Sequence, residues 1–282
     1  MTDNYILSII CNDEKGLVHK ITGVLFNKGA NVERTDEYVE PENNTFFMRV
    51  LYSGEAASED IYNELSLILP KNATINVQKQ RKKNVIILVT KEHHCLSDLL
   101  IRNEFNDLPF NILAIIGNHD SLESLVQKFN IPYYYLPAKG TEIADRLAHE
   151  KAISDLIDGF NFDYIILAKF MRILTPQFTE KYKYKLINIH HSFLPAFIGA
   201  NPYRQAHERG VKIIGATAHF VTDDLDEGPI IFQDVIAVNH TKTVAEIAAA
   251  GRDVEKIVLA KALKLVMEDR VFISGNKTII FE

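Results

Sequence analysis

Two contrasting patterns meet in one short stretch of this chain, Gln78-Lys79-Gln80-Arg81-Lys82-Lys83-Asn84-Val85-Ile86-Ile87-Leu88-Val89. Its first part, 78–84, is polar and basic, which is typical of a solvated linker between domains. Its second part, 85–89, is an uninterrupted run of Val, Ile and Leu, which predicts a strand buried on both faces of a parallel sheet. We therefore expect two domains in the 282 residues, at 1–83 and 84–282.

The composition argues against several classes of protein. The chain has 31 Lys and Arg against 37 Asp and Glu, and its net charge of −6 disfavours a nucleic-acid partner or a membrane surface. Its two cysteines, Cys11 and Cys95, are too few for a disulfide framework or a four-cysteine zinc site. The start of the chain lacks the pattern of a signal peptide, and no apolar window predicts a transmembrane helix, so we expect a cytoplasmic protein.

The N-terminal domain shows strand and helix patterns in the order β-α-β-β-α-β, which is typical of a ferredoxin-like α+β arrangement. In chain order these elements are predicted at 5–11, 17–25, 32–39, 45–52, 61–68 and 74–78.

The C-terminal domain alternates apolar strands with amphipathic helices, which predicts an α/β fold with a doubly wound, mostly parallel sheet. Its strands are predicted at 85–89, 112–116, 133–136, 164–168, 186–190, 213–221 and 229–238. Its helices are predicted at 96–105, 121–129, 141–157 and 244–267.

The loop after the first strand of this sheet, 90–95, contains no glycine. A dinucleotide site would need a G-x-G-x-x-G loop there, since the pyrophosphate requires close approach of the backbone. His93 and His94 in this loop invite a zinc site, but the chain has no H-E-x-x-H motif. We therefore expect no metal. For both histidines, a loop position without a ligand role and a functional role stay open.

A more informative pattern lies at the end of the strand predicted at 186–190. Asn188 and His190 are two residues apart, so both side chains point to the same face, at the edge where open α/β sheets bind ligands. An amide donor beside an imidazole suits an oxygen that becomes negative during attack on a carbonyl. The acidic turn at 223–229 could add a carboxylate that orients the imidazole or a water. A polar strand end without catalytic function is the alternative at this point.

Together, four segments resemble the folate-dependent formyltransferases: Ala168-Lys169-Phe170-Met171-Arg172-Ile173-Leu174, Asn188-Ile189-His190, His219-Phe220-Val221 and Leu225-Asp226-Glu227-Gly228-Pro229. The resemblance implies a catalytic trio of Asn188, His190 and Asp226 around the formyl carbon of 10-formyltetrahydrofolate. This folate is a substrate, so no cofactor is implied. The substrate pocket implied by the resemblance is formed by Arg172, Ile173, Leu174, His219, Asp223 and Gly228.

Two departures separate the chain from the transferases of this family. The loop 91–96 is not the glycine- and serine-rich loop that holds substrate phosphate in glycinamide ribonucleotide formyltransferases. The additional domain is N-terminal, unlike the basic C-terminal domain of methionyl-tRNA formyltransferases. That N-terminal domain resembles an ACT domain in its segments 13–16 and 29–32.

The combination resembles the formyltetrahydrofolate deformylases, the hydrolytic branch of this family. It implies hydrolysis of 10-formyltetrahydrofolate to tetrahydrofolate and formate, which supplies formate to purine synthesis and balances one-carbon pools. Phe193 and Phe197 could restrict the formyl acceptor to water by their bulk. A formyltransferase that uses a small amine acceptor stays open as an alternative, and a non-catalytic regulator is a more distant one.

For the ACT-like domain, the resemblance implies binding of an amino-acid effector, such as glycine or methionine, near Gly16 and Asn31. Gly16 precedes a predicted helix, where free backbone N–H groups suit a carboxylate. The alternative is a domain that serves only to form a homo-oligomer.

Overall fold

The computed structural model describes residues 3–196 and 202–282, so Phe197 lies outside the described residues. The chain divides into two compact units, Met1–Arg81 with Ile280–Glu282, and Lys82–Ile279. The change of unit comes two residues before the predicted boundary of 83/84. The last three residues group with the N-terminal unit, where the Arg34 guanidinium donates a hydrogen bond to the carbonyl oxygen of Glu282.

The N-terminal unit has the order β-α-β-β-α-β and an antiparallel sheet with the strand order β2-β3-β1-β4. Its elements are β1 (Asn4–Asn12), α1 (Leu17–Asn27), β2 (Asn31–Glu40), β3 (Thr45–Ser53), α2 (Ser58–Ile68) and β4 (Thr74–Lys79). Helix α1 buries Leu17, Ile21, Val24 and Leu25, whose spacing predicted the helix, and α2 buries Ile61 and Leu65.

The C-terminal unit is built on seven strands in the order β11-β10-β9-β8-β5-β6-β7. The strands are β5 (Lys83–Val89), β6 (Phe110–Gly117), β7 (Tyr133–Tyr135), β8 (Tyr164–Leu167), β9 (Leu186–His190), β10 (Ile213–Phe220) and β11 (Ile230–Ala237). The helices are α3 (His94–Glu104), α4 (Glu123–Val126), α5 (Ile143–Ile157), α6 (Pro176–Lys181), α7 (Pro202–Glu208) and α8 (Val244–Met267). A 3₁₀ turn, Gln127–Phe129, follows α4.

Strands β5 to β9 pair in parallel, whereas β10 runs antiparallel to both β9 and β11. Alternate residues of β5 enter two cores, as expected for a strand covered on both faces. Val85, Ile87 and Val89 pack with α3 and α8, while Ile86 and Leu88 pack with α5 and α6. The mostly parallel α/β sheet predicted for the C-terminal domain is therefore confirmed.

The structure differs from the predicted elements in four places. Helix α3 begins at His94, so this residue belongs to a helix and not to the predicted loop. The helix predicted at 121–129 is split into α4 and the 3₁₀ turn. Helix α7 and the hairpin β12 (Val271–Ser274) and β13 (Lys277–Ile280) were not predicted, because short elements carry too little periodicity.

Among residues 3–196 and 202–282, no helix combines the length and apolar character that crossing a membrane requires.

Candidate active site

Strand β9 positions two of the predicted catalytic residues at the carboxyl end of the central strands. Asn188 and His190 alternate with Ile187 and Ile189, which pack into the core on the opposite face. The antiparallel neighbour β10 places His219 directly opposite Asn188. Two neighbouring strands thus hold three polar side chains at one edge of the sheet, where open α/β sheets bind ligands.

Asp226 reaches the same place from the turn between β10 and β11. Its backbone has φ 59°, in the left-handed region that short polar residues tolerate better than most. Two residues later, a Cβ on Gly228 would lie 1.8 Å from the carbonyl oxygen of Phe220, so the turn packs against β10 only with glycine there. Gly228 therefore shapes the turn and is not among the residues that line the cleft described below.

The side chains of Asp226 and His190 form a buried pair. Asp226 Oδ1 lies 3.2 Å from His190 Nδ1, and only 10% and 7% of the two side chains are exposed. His190 Nε2 is buried and has no hydrogen-bond partner. Because the carboxylate accepts from Nδ1, this second ring nitrogen is left free for a substrate atom.

The hydrogen bonds of His219 determine how Asn188 is oriented. His219 Nδ1 lies 2.9 Å from the carbonyl oxygen of Phe220, so Nδ1 donates and Nε2 must accept. The Asn188 Nδ2 group donates to this Nε2 at 3.3 Å. An amide nitrogen carries two N–H bonds, so Asn188 keeps a second donor for another oxygen.

The protonation states of these groups follow from burial and charge. Burial raises the pKa of Asp226, but the hydrogen bond from His190 and the nearby histidine charges outweigh it and hold the pKa below 3.8. Burial lowers the pKa of His219, and the hydrogen bond to Phe220 only partly opposes this effect. Asp226 Oδ1 lies 3.8 Å from His219 Nε2. An ionised carboxylate, an amide and two imidazoles thus converge; we call Asn188, His190, His219 and Asp226 the cleft cluster.

Three members of the cleft cluster, Asn188, His219 and Asp226, border a cleft that is open to solvent. Five residues predicted for the substrate pocket line this cleft together with Asn188 and Asp226: Arg172, Ile173, Leu174, His219 and Asp223. Its apolar rim includes Ile173 and Leu225, each about half exposed. The Asp223 carboxylate accepts a hydrogen bond from the Thr179 hydroxyl, and the Arg172 guanidinium donates to the carbonyl oxygen of Gly140 at 2.8 Å.

A second polar cluster lies near this site and was not predicted. Glu255 on α8 is fully buried, and its Oε2 lies 3.1 Å from Lys169 Nζ and 2.9 Å from His94 Nε2. The hydroxyl of Tyr203 donates to the other carboxylate oxygen, Oε1. We call Glu255, Lys169, His94 and Tyr203 the Glu255 cluster.

One sequence signal could have found the Glu255 cluster. Glu255 occurs between Val254 and Val258 in the apolar stripe of α8, where a carboxylate needs a buried partner. The interpretation of His94 as part of a loop is wrong, since it begins α3, where it is buried and bonded to Glu255. That it has no ligand role stays a prediction. His94, Cys95 and Glu255 also form a group that could hold a metal ion, but the Lys169 ammonium already contacts the Glu255 carboxylate.

The effector residues predicted in the N-terminal unit are exposed. Gly16 precedes α1 with φ 89°, which favours glycine, and no side chain caps the helix. Asn31 is the first residue of β2. Each belongs to a different element, and neither contributes a buried polar group.

Known proteins match both units of the chain. A family model described as formyl transferase matches residues 83–263. The formyltetrahydrofolate deformylase of Escherichia coli (strain K12) is 48% identical over 275 residues, which are 98% of this chain and 97% of that protein.

Solved structures agree with this match. A formyltetrahydrofolate deformylase from Pseudomonas syringae pv. tomato is 36% identical and superposes with a TM-score of 0.94, covering 100% of this chain and 95% of that one. A glycinamide ribonucleotide transformylase from Symbiobacterium toebii is 27% identical with a TM-score of 0.66, and covers 73% of this chain and 98% of that one. Because the deformylase matches include the N-terminal unit as well as the sheet, the chain belongs to the formyltetrahydrofolate deformylase family.

Proposed function

We propose that this chain hydrolyses 10-formyltetrahydrofolate to tetrahydrofolate and formate, with Asn188, His190 and Asp226 as catalytic residues. The observation that carries the proposal is the Asp226–His190 pair, in which Asp226 lines an open cleft and His190 Nε2 has no hydrogen-bond partner. Family membership supports the same reaction. In this proposal the folate is the substrate and no cofactor takes part.

The reaction begins when a water bound by Asp226 attacks the formyl carbon. The proton of the water passes to the Asp226–His190 pair, and the carbonyl oxygen becomes an oxyanion. The second N–H of Asn188 and the Nε2–H of protonated His190 stabilise this oxyanion as charge develops. His190 then returns its proton to the leaving nitrogen as the carbon–nitrogen bond breaks, which releases formate.

The cleft beside the cleft cluster would bind the pterin. The backbone at 172–174 offers donors and acceptors at fixed positions, which suits the fixed hydrogen-bonding pattern of a pterin ring. Asp223 and Leu225 would close the opposite side. His219 would act through Asn188, because its Nε2 accepts the hydrogen bond that orients the amide.

A single experiment tests this function. The purified chain is incubated with 10-formyltetrahydrofolate in a buffer without amines, and formate and tetrahydrofolate are measured. We expect equimolar release of both products. Consumption of the substrate only after an amine is added, with the formyl group recovered on that amine, would favour a transferase instead. The supply of formate to purine synthesis stays a prediction of the resemblance.

We further propose that the N-terminal unit is an ACT-like domain that binds an amino-acid effector such as glycine or methionine near Gly16 and Asn31. Its β-α-β-β-α-β order and antiparallel sheet support this assignment. The uncapped N-terminus of α1 offers backbone N–H groups to a carboxylate. Titration of each amino acid into the formate assay tests the idea, and no change in rate or substrate affinity would remove it.

We also propose that the chain forms a homo-oligomer. Phe26 on α1 and Leu67 on α2 are 80% and 85% exposed, so both side chains are available for contact with a second copy of the chain. Sedimentation of the wild type and of Phe26→Ser would report the assembly. We expect the wild type to sediment as an oligomer and the variant to shift toward the monomer.

A further inference from the structure

The Glu255 cluster has the chemistry of an anion-binding site. This site is already occupied by a carboxylate of the chain. Three donors from three separate elements converge on one carboxylate: Lys169 after β8, His94 at the start of α3, and Tyr203 on α7. Lysine, histidine and tyrosine are the donor types that proteins use to hold phosphates and carboxylates. Here the anion they hold is Glu255, a part of the chain itself.

The packing around Glu255 shows that this arrangement is specific. A Cβ on Gly251, one turn before Glu255, would lie 2.2 Å from atoms of the Tyr203 ring, so the ring reaches the carboxylate only past a glycine. Lys169 extends its ammonium from a residue with φ 61°. Burial raises the pKa of Glu255, but His94, Lys169 and Tyr203 together lower it to about 2, so the carboxylate is ionised.

The ring of His191 lies between the Glu255 cluster and His190. The ring centroid of Tyr203 lies 6.0 Å from that of His191, and the His191 ring stacks on His190 with 5.1 Å between centroids. Lys169 and His94 also follow the carboxyl ends of β8 and β5, which is the edge of the sheet that carries Asn188 and His190. A formyl acceptor bound to these donors would therefore lie close to the reacting carbon.

We propose that Glu255 is a specificity residue: its carboxylate occupies an anion site next to His190 from inside the protein, and so excludes amine acceptors that carry a phosphate. This inference rests on the proposed hydrolysis and extends it to the choice of acceptor. A second anion would meet an ionised carboxylate in a buried region, where like charges repel strongly. Water is neutral and small, so it is not excluded.

Replacement of Glu255 tests the inference, because it should convert the filled site into an empty one. In Glu255→Ala, the donors Lys169, His94 and Tyr203 stay in place and a cavity replaces the carboxylate. Inorganic phosphate is the probe, and thermal unfolding is followed at constant ionic strength. We expect the midpoint of the variant to rise by about 3–5 °C for each tenfold increase of phosphate above its dissociation constant. The wild type should not respond.

The double variant Glu255→Ala/Lys169→Met is the matched control. It has the same cavity at position 255 but lacks the ammonium, and replacing a buried ion pair by apolar groups is often tolerated. We expect it to fold and not to respond to phosphate. A response equal to that of Glu255→Ala would contradict the proposal, as would a response of the wild type or a folded Glu255→Ala that ignores phosphate.

Glu255→Ala could be too unstable to purify, since it leaves a buried ammonium without its partner. In that case it is refolded with phosphate or with chloride at equal ionic strength. Recovery with phosphate alone supports the proposal, and equal yields contradict it. Formate release by the wild type is measured separately, so a failure of the proposed hydrolysis is distinguished from a failure of the anion site.

Discussion

Asp226 and Glu255 are two buried carboxylates that each lie beside a histidine at the same edge of the C-terminal sheet. Asp226 Oδ1 is 3.2 Å from His190, and Glu255 Oε2 is 2.9 Å from His94. Neighbouring positive groups lower the pKa of both carboxyls, although burial alone would raise it. By residue type, burial and ionisation, the two sites resemble each other closely.

The two sites differ in their access to an open cleft. Both oxygens of Glu255 accept hydrogen bonds from donors inside the protein, and Glu255 is fully buried. Each carboxylate lies beside a histidine whose second ring nitrogen has no hydrogen-bond partner, but only Asp226 of the two carboxylates lines the open cleft. A perturbed carboxylate alone is therefore a poor indicator of catalysis, because a saturated site and a reactive one shift the pKa in the same direction.

Loss of His190 should have the largest effect on turnover and tests the difference between the two sites most directly. His190→Ala removes the residue that we propose as both the proton carrier and one oxyanion donor, so we expect turnover to fall about 10⁴-fold. The unfolding midpoint should fall less than for a loss of Glu255, because the Asp226 carboxylate that loses its partner borders an open cleft. Formate release and the unfolding midpoint check both statements. If the variant keeps most of its turnover, the cleft cluster is not the active site.

For Glu255 we expect a large effect on the free energy of unfolding. Glu255→Ala leaves the Lys169 ammonium buried without a counter-charge, so we expect the free energy of unfolding to fall by about 3–5 kcal/mol in phosphate-free buffer. Asp226→Ala should cost less, because it leaves no buried ammonium without a counter-charge. Chemical denaturation of both variants measures the difference. Equal losses would show that the two carboxylates are held alike.

The amide of Asn188 has one N–H with a partner inside the protein and a second N–H that we propose binds the oxyanion. One N–H binds His219, and the second is free for the oxyanion. We expect Asn188→Ala to lower turnover by about 10²–10³-fold, the usual consequence of losing one oxyanion donor. Asn188→Asp is a useful partner variant, since it keeps the size but replaces the donor by an acceptor. If Asn188→Asp is as active as the wild type, Asn188 does not stabilise an oxyanion.

The pH dependence of stability should separate Glu255 from a neutral replacement. The pKa of Glu255 is lowered from 4.5 to about 2 in the folded chain, so the unfolded chain binds the proton more tightly. This stabilisation is complete above pH 4.5 and is lost as the pH falls toward 2. We therefore expect the difference in unfolding free energy between the wild type and Glu255→Gln to shrink over that range. Denaturation series between pH 3 and 7 measure it, and a constant difference would contradict it.

The smallest effect is expected at the start of α8 and serves as a control. The Thr243 hydroxyl accepts from the Glu246 N–H, and the Glu246 carboxylate accepts from the Thr243 N–H, which together form a capping box. Thr243→Ala should cost about 1 kcal/mol of stability. Turnover should stay unchanged, because the helix that carries Glu255 still forms. A loss of turnover here would mean that modest destabilisation alone affects the cleft cluster.

Much of the fold could be predicted because the pattern is local. The spacing of Leu17, Ile21, Val24 and Leu25 predicted α1, and the apolar run 85–89 predicted a central strand. Short elements could not be predicted for the same reason, since α7 and the C-terminal hairpin are too short to show a hydrophobic period. Asn188 and His190 could be paired from the sequence because a strand repeats its faces every second residue.

The sequence by itself determined the element order, the two-domain plan and the residue types of the cleft cluster, since these depend on periodicity and on motifs of a few residues. Only the tertiary structure decided which polar groups meet. His94 and Glu255 are 161 residues apart, and the Asn188–His219 contact depends on an antiparallel pairing that no local pattern encodes. Partners so distant in the chain are brought together by the packing of whole elements, and that packing placed Asp226 at an open cleft and enclosed Glu255 among three donors.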